Sequence, residues 1–117
     1  MKKFFRAFVF AYNGVITSFK ERNIKFHFTA ATIVKLTGLF FHLSRTEWFV
    51  ILILIGIIIA LEMINTSLEE IANITRDQLN LDYSSTKRTR DVSAGAVLVM
   101  SIIALIIGVM IFVQKIL

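Results

Sequence analysis

Residues 48–61 run without a single charged, amide or hydroxyl side chain, and Glu62 follows them directly. An apolar run of that length has two homes, a large protein core or lipid. The chain has 117 residues, of which 56% are hydrophobic, and its mean hydropathy is +0.76. A domain this small buries a low fraction of its surface, so much of that apolar area is left to face lipid. The sequence contains no cysteine, which excludes disulfides, thiolate chemistry and thiolate metal sites. It contains no proline either, which suits a bundle of uninterrupted helices. The fold class expected is an all-α membrane protein, a single domain over 1–117.

Residues 3–20 are amphipathic at helical spacing. Phe5, Phe8, Val9, Tyr12, Ile16 and Phe19 fall on one side at about 100° per residue, with Lys3, Arg6, Asn13 and Thr17 away from it. Phe10 is the exception. The expectation is an interfacial helix with its aromatic stripe at the acyl boundary. Charge precedes apolar residues here, as in a signal peptide, but no small-residue cleavage site follows a clean apolar core. The segment therefore reads as part of the mature protein. Three transmembrane spans are expected beyond it, at about 26–43, 48–68 and 92–116, each near the ~20 residues that cross a bilayer core. The first is the least clean, because Lys35 lies inside it. A tight turn, His42 to Glu47, joins the first two, with Trp48 at interfacial depth. Residues 70–91 form a polar connection before the third.

Lysine and arginine set the orientation. Lys2, Lys3, Arg6, Lys20, Arg22 and Lys25 precede the first span, and Arg76, Lys87, Arg88 and Arg90 lie between the second and third. Arg45 and Lys115 fall on the other side. The positive-inside rule puts the N-terminus and the 70–91 connection in the cytoplasm of a multi-pass protein of the cell membrane. The formal charge of +5 then fits an anionic membrane surface rather than nucleic acid. Small residues Ala94, Ser101, Ala104 and Gly108 share a face of the third span and suit close helix approach.

The second span ends unlike a plain anchor. Glu62, Asn65, Thr66, Glu69 and Asn73 fall within one stripe at about 100° per residue, while Met63, Ile64, Leu68, Ile71 and Ala72 mostly point elsewhere. An acid within a span costs on the order of 2.5–3.5 kcal/mol even on the lenient insertion scale. Two plainer accounts compete with a functional one. The helix leaves the membrane at Glu62, or Glu62 pairs with a cation such as Lys35. The first does not explain the shared stripe, and the second explains one acid of the set. A further acid, Glu21, lies in Glu21-Arg22-Asn23-Ile24-Lys25-Phe26-His27, where His27 reads as an interfacial or packed histidine. Lys87-Arg88-Thr89-Arg90-Asp91 precedes the third span and suits either membrane anchoring or phosphate. Carboxylates beside cations at a membrane surface fit a phosphorylated, metal-bound substrate, since magnesium takes oxygen ligands and phosphates. No Walker loop or soluble-kinase signature is present.

These segments resemble the small bacterial lipid kinases that act on diacylglycerol and undecaprenol. Glu62-Met63-Ile64-Asn65-Thr66-Ser67-Leu68-Glu69 is similar to the family's Glu-x-x-Asn-(Thr/Ser)-(Ala)-x-Glu. The segment 21–27 is similar to its Glu-Arg-Asn-Phe-Lys-x-His, the undecaprenol-kinase form. Residues 90–98 are similar to Lys-Asp-x-Ala-Ala-Gly-Ala-Val-Leu. The resemblance covers nearly the whole chain, in order. It implies a homotrimer of interfacial and membrane helices with sites shared between copies, an ATP- and Mg2+-dependent kinase, and a membrane lipid alcohol as acceptor. Undecaprenol is the favoured alcohol and diacylglycerol the alternative. It also implies Glu62 as general base, Glu69 and Glu21 as holders of the Mg2+ on the ATP phosphates, and Asn65 as an orienting group. Arg90 and Asp91 take the nucleotide-binding pair. Arg90 stands where the family has lysine, Asn73 where it has aspartate, and the connection is a few residues longer, so Lys87 competes for the phosphate role. A proton- or cation-coupled transporter and a non-catalytic membrane subunit are the readings from other classes. The first needs an acid reachable from both sides, and the second leaves Asn65, Glu69, Glu21 and Asp91 unexplained.

Overall fold

The structure is a computed structural model that describes residues 1–117. Four helices follow in order: α1 Lys2–Ser18, α2 Arg22–Phe40, α3 Arg45–Leu79 and α4 Tyr83–Ile116. α2 packs on α3, and α3 packs along α4 as an antiparallel hairpin.

α1 buries no residue. Phe5, Phe8, Val9, Tyr12 and Ile16 of the stripe are exposed, and only its end is covered, where Phe19 packs edge-on against Phe28 at 5.2 Å between ring centroids. The helix stops before the expected residue 20: Lys20 N–H and Glu21 N–H bond back to Thr17 and Ser18 carbonyls in tightened turns. Glu21 then enters α2 as an extended N-cap.

α2 buries Ile24, Ala31 and Gly38, seven residues apart, which draws one seam down the helix. The seam ends at a close approach. A Cβ on Gly38 would lie 2.9 Å from both Leu43 Cδ1 and the Trp48 ring, so glycine is what lets Trp48 close over the turn. The turn is a Schellman motif. His42 is left-handed at φ 53, and Leu43 N–H reaches the Gly38 carbonyl at 3.2 Å. Ser44 caps α3 through a complete capping box: its hydroxyl accepts from Glu47 N–H at 3.2 Å and its own N–H donates to Glu47 Oε2 at 2.8 Å.

α3 and α4 have 35 and 34 residues and are both long and apolar enough to cross a membrane. α2 does not meet that test, because Lys25, His27, Lys35 and three threonines dilute its apolar residues. Those threonines turn their hydroxyls inward: Thr29, Thr32 and Thr37 donate to the carbonyls four residues back at 2.8–2.9 Å. The polar stretch 70–91 is helical except at a tight turn, 80–82. Asn80 is left-handed there at φ 54, and Leu81 N–H bonds to the Arg76 carbonyl at 2.9 Å. The far end of the hairpin is closed by Lys115 Nζ on Glu47 Oε2 at 2.9 Å. Of the small residues expected to make a packing face on α4, Ser101, Ala104 and Gly108 are half-buried and Ala94 is exposed; the buried residues of the helix are Thr86, Ser93 and Val97. Only 12 of 117 residues are buried, so the apolar surface left over is covered by something outside the single chain.

Candidate active site

The acid stripe at the end of the apolar part of α3 is where polar groups go inside. Glu62 and Asn65 are each only 3% exposed. Thr66 and Glu69 are half-buried, and Asn73 is turned out while Ala72 takes the buried place. The stripe is wider than the seam that covers it. On a helical wheel Asn65 and Ala72 lie to one side of Glu62, towards α4, whereas Thr66 and Asn73 lie to the other.

Glu62 faces α2. Its Oε2 lies 3.6 Å from His27 Nε2, and its Oε1 is buried with no hydrogen-bond partner. The expected alternative pairing with Lys35 does not form: Lys35 sits two turns further along α2, its ammonium 5.8 Å from the Phe28 ring centroid. Eight residues separate it from His27, about 12 Å of helix rise. An unpaired buried acid oxygen is costly, and such groups concentrate where proton transfer is performed.

Asn65 faces α4. Ser93 Oγ donates to its Oδ1 at 2.6 Å, and its Nδ2 points at Glu69 Oε1 at 3.4 Å. Ser93 was not among the residues singled out from sequence. A hairpin tip at 80–82 brings α4 residues 93–97 over α3 residues 65–69, but that turn is not evident in the sequence.

The cations divide. Lys87 is exposed and ion-paired to Asp91 one turn on. The hydrogen bond and the charge of Asp91 raise the Lys87 pKa above its usual range. Arg90 is half-buried and held in place: its Nε donates to Thr86 Oγ1 at 3.1 Å, and its guanidinium lies 4.9 Å from the Tyr83 ring centroid. One of its terminal nitrogens, Nη2, is buried without a partner. Thr86 and Tyr83 are further residues that periodicity did not reveal.

Glu21 is exposed at the start of α2 and its side chain caps nothing. It stands six residues before His27, and Glu69 stands seven after Glu62, so they lie about 9 and about 10.5 Å of helix rise beyond the His27–Glu62 contact towards the same end. The two are level but not gathered: no group of three or more His, Asp or Glu side chains within the chain could hold a metal. The donors themselves are carboxylate oxygens, free of strong internal bonds, which is the chemistry Mg2+ takes alongside phosphate.

The family model for prokaryotic diacylglycerol kinase matches residues 9–112, which includes every site residue described. The chain belongs to the prokaryotic diacylglycerol kinase family. It is similar to undecaprenol kinase of Bacillus subtilis (strain 168), 38% identical over 116 residues, 98% of this chain and 92% of that one. It is also similar to diacylglycerol kinase of Synechocystis sp., 32% identical over 104 residues, 87% of this chain and 58% of that longer protein. No solved structure matches it. As a member of the prokaryotic diacylglycerol kinase family the chain is a lipid kinase associated with membranes.

Proposed function

We propose that the protein is an ATP-dependent kinase that phosphorylates the hydroxyl of undecaprenol to give undecaprenyl phosphate. The observation that carries the activity is Glu62, a buried acid with one unpartnered oxygen at the end of an apolar run. The likeness to the Bacillus undecaprenol kinase over nearly both full lengths supports the acceptor. Glu62 takes the proton of the lipid hydroxyl as its oxygen attacks the γ-phosphorus, and the bond from that phosphorus to ADP breaks. Arg90, oriented by Tyr83 and Thr86, supplies the cation for the phosphates, a role Lys87 is less suited to while tied to Asp91. Glu69 and Glu21 would hold Mg2+, which when bound neutralises phosphate charge. Asn65 orients Glu69.

The chain works as three spans. α2, 19 residues long, rises about 28 Å, close to the ~30 Å core, and its threonine hydroxyls are satisfied within the helix. α1 lies along the interface. The N-terminus and the 80–82 turn face the cytoplasm, where ATP is. Copies assemble as a homotrimer, which accounts for the small buried fraction and for Glu21 and Glu69 lying level but ungathered in one chain. The test is Mg2+-dependent transfer from ATP by the purified protein in mixed micelles, with undecaprenol and a diacylglycerol offered side by side. Preference for undecaprenol is expected. Preference for the diglyceride replaces the acceptor, and no transfer to either by folded protein removes the kinase assignment.

A further inference from the structure

The shortest well-formed polar contact between α3 and α4 is the one from Ser93 Oγ to Asn65 Oδ1, 2.6 Å long and buried at both ends. The Glu69 carboxylate, which can only accept, selects which way the Asn65 amide points, and the Ser93 hydroxyl reinforces that choice by donating to Oδ1. With Oδ1 accepting from Ser93, Nδ2 is left on the other side, 3.4 Å from Glu69 Oε1. The opposite amide orientation would set Oδ1 against the Glu69 carboxylate, two acceptors with no proton between them. A carbonyl facing that carboxylate repels it, and an N–H facing it draws it in.

We infer that Ser93 is a positioning residue of the transfer site: by donating to Oδ1, its hydroxyl reinforces the amide orientation in which Nδ2 holds one Glu69 oxygen and leaves the other free for the metal on the nucleotide. The inference rests on the proposed role of Glu69. The Ser93 hydroxyl also lies 3.1 Å from the Arg90 carbonyl, so the same side chain stands between the backbone that carries the phosphate-facing arginine and the amide that steadies the acid. Alanine differs from serine here by loss of the hydroxyl alone, so Ser93→Ala fits the space.

The full-length protein in mixed micelles tests this with Ser93→Ala, Asn65→Ala, the double variant and Glu69→Gln. Metal affinity is read directly, as Mn2+ bound in the presence of a non-hydrolysable ATP analogue and followed by electron paramagnetic resonance. Mg2+ dependence of turnover is read beside it. Ser93→Ala is expected to keep its helicity and its KM for lipid while metal affinity falls about ten-fold, the scale typical of groups that orient a ligand. In the Asn65→Ala background, loss of the hydroxyl is expected to change metal affinity no further, because it acts through that amide. Unchanged metal affinity in Ser93→Ala, or a full additional loss in the Asn65→Ala background, overturns the inference. Glu69→Gln separates the two readings. If it leaves metal affinity intact, the metal role of Glu69 is wrong. If it lowers affinity and Ser93→Ala does not, only the positioning role is wrong.

Discussion

A carboxylate oxygen buried without a partner is unfavourable for the fold, and Glu62 carries one. Glu62→Gln removes the charge while keeping shape, so thermal stability is expected to hold or rise while transfer falls by at least a hundred-fold, the lower end of what a general base contributes. Full activity in that variant would exclude Glu62 as the base. Arg90→Lys is expected to weaken ATP binding, since an ammonium cannot both bond Thr86 and stack on Tyr83 as the planar guanidinium does. KM for ATP measures it. At this scale the sequence was readable where chemistry is repeated. Glu62, Asn65 and Glu69 declare themselves by their spacing, and the structure buries or half-buries all three. Asn73 shares their spacing but not their burial, because a stripe on a wheel does not say which of its edges a neighbour covers. Ser93, Thr86 and Tyr83 were not readable, since each acts through a contact to another residue rather than through its own character.

Two tight turns decide how the helices meet. At the first, Gly38 allows Trp48 to close. Gly38→Ala gains up to about 1 kcal/mol of helix propensity but meets the indole at 2.9 Å. Overpacking of that kind costs about 1–3 kcal/mol, so a lower Tm and a shifted Trp48 emission are expected. The Glu47 beside it has its pKa held below the ordinary 4.5 by the Ser44 backbone N–H first and by Lys115 second. A depressed acid contributes stability above its unfolded value, and that contribution is lost as pH falls through the lower folded value. Thermal stability is therefore expected to drop below about pH 4.5, and a Glu47→Gln variant should lack this part of the drop. At the second turn, Asn80→Val puts a branched side chain in a left-handed backbone at a cost of about 1–2 kcal/mol, whereas Asn80→Gly is tolerated. The apolar runs gave away α3 and α4 from sequence. The second turn stayed hidden because Asn80, Leu81 and Asp82 carry neither glycine nor proline, and the polar residues around them resemble a connection although they are helical.

The whole chain is a hairpin of two long helices with a shorter helix laid on one of them, and little of it is shielded from its surroundings. The positive residues around α1 and the 80–82 turn argue that both lie on the cytoplasmic side. Because the sequence has no cysteine, Ser84→Cys and Thr46→Cys can be compared with a membrane-impermeant thiol reagent. Ser84→Cys is expected to react only in inside-out vesicles and Thr46→Cys only from the opposite face; equal labelling of both from one side would overturn the topology. The distance between the two ends of the apolar part of α3 has a practical meaning. From Trp48 to Glu62 is about 21 Å of helix rise, while a typical hydrocarbon core is about 30 Å thick. In the proposed arrangement, with Trp48 at the far interface, the carboxylate would lie below the headgroups of an average bilayer, and the host membrane would set how far an ATP phosphate must descend to reach it. Turnover measured in vesicles of graded acyl-chain length should follow that depth, with thicker hosts slowing the enzyme as the acid sinks away from water.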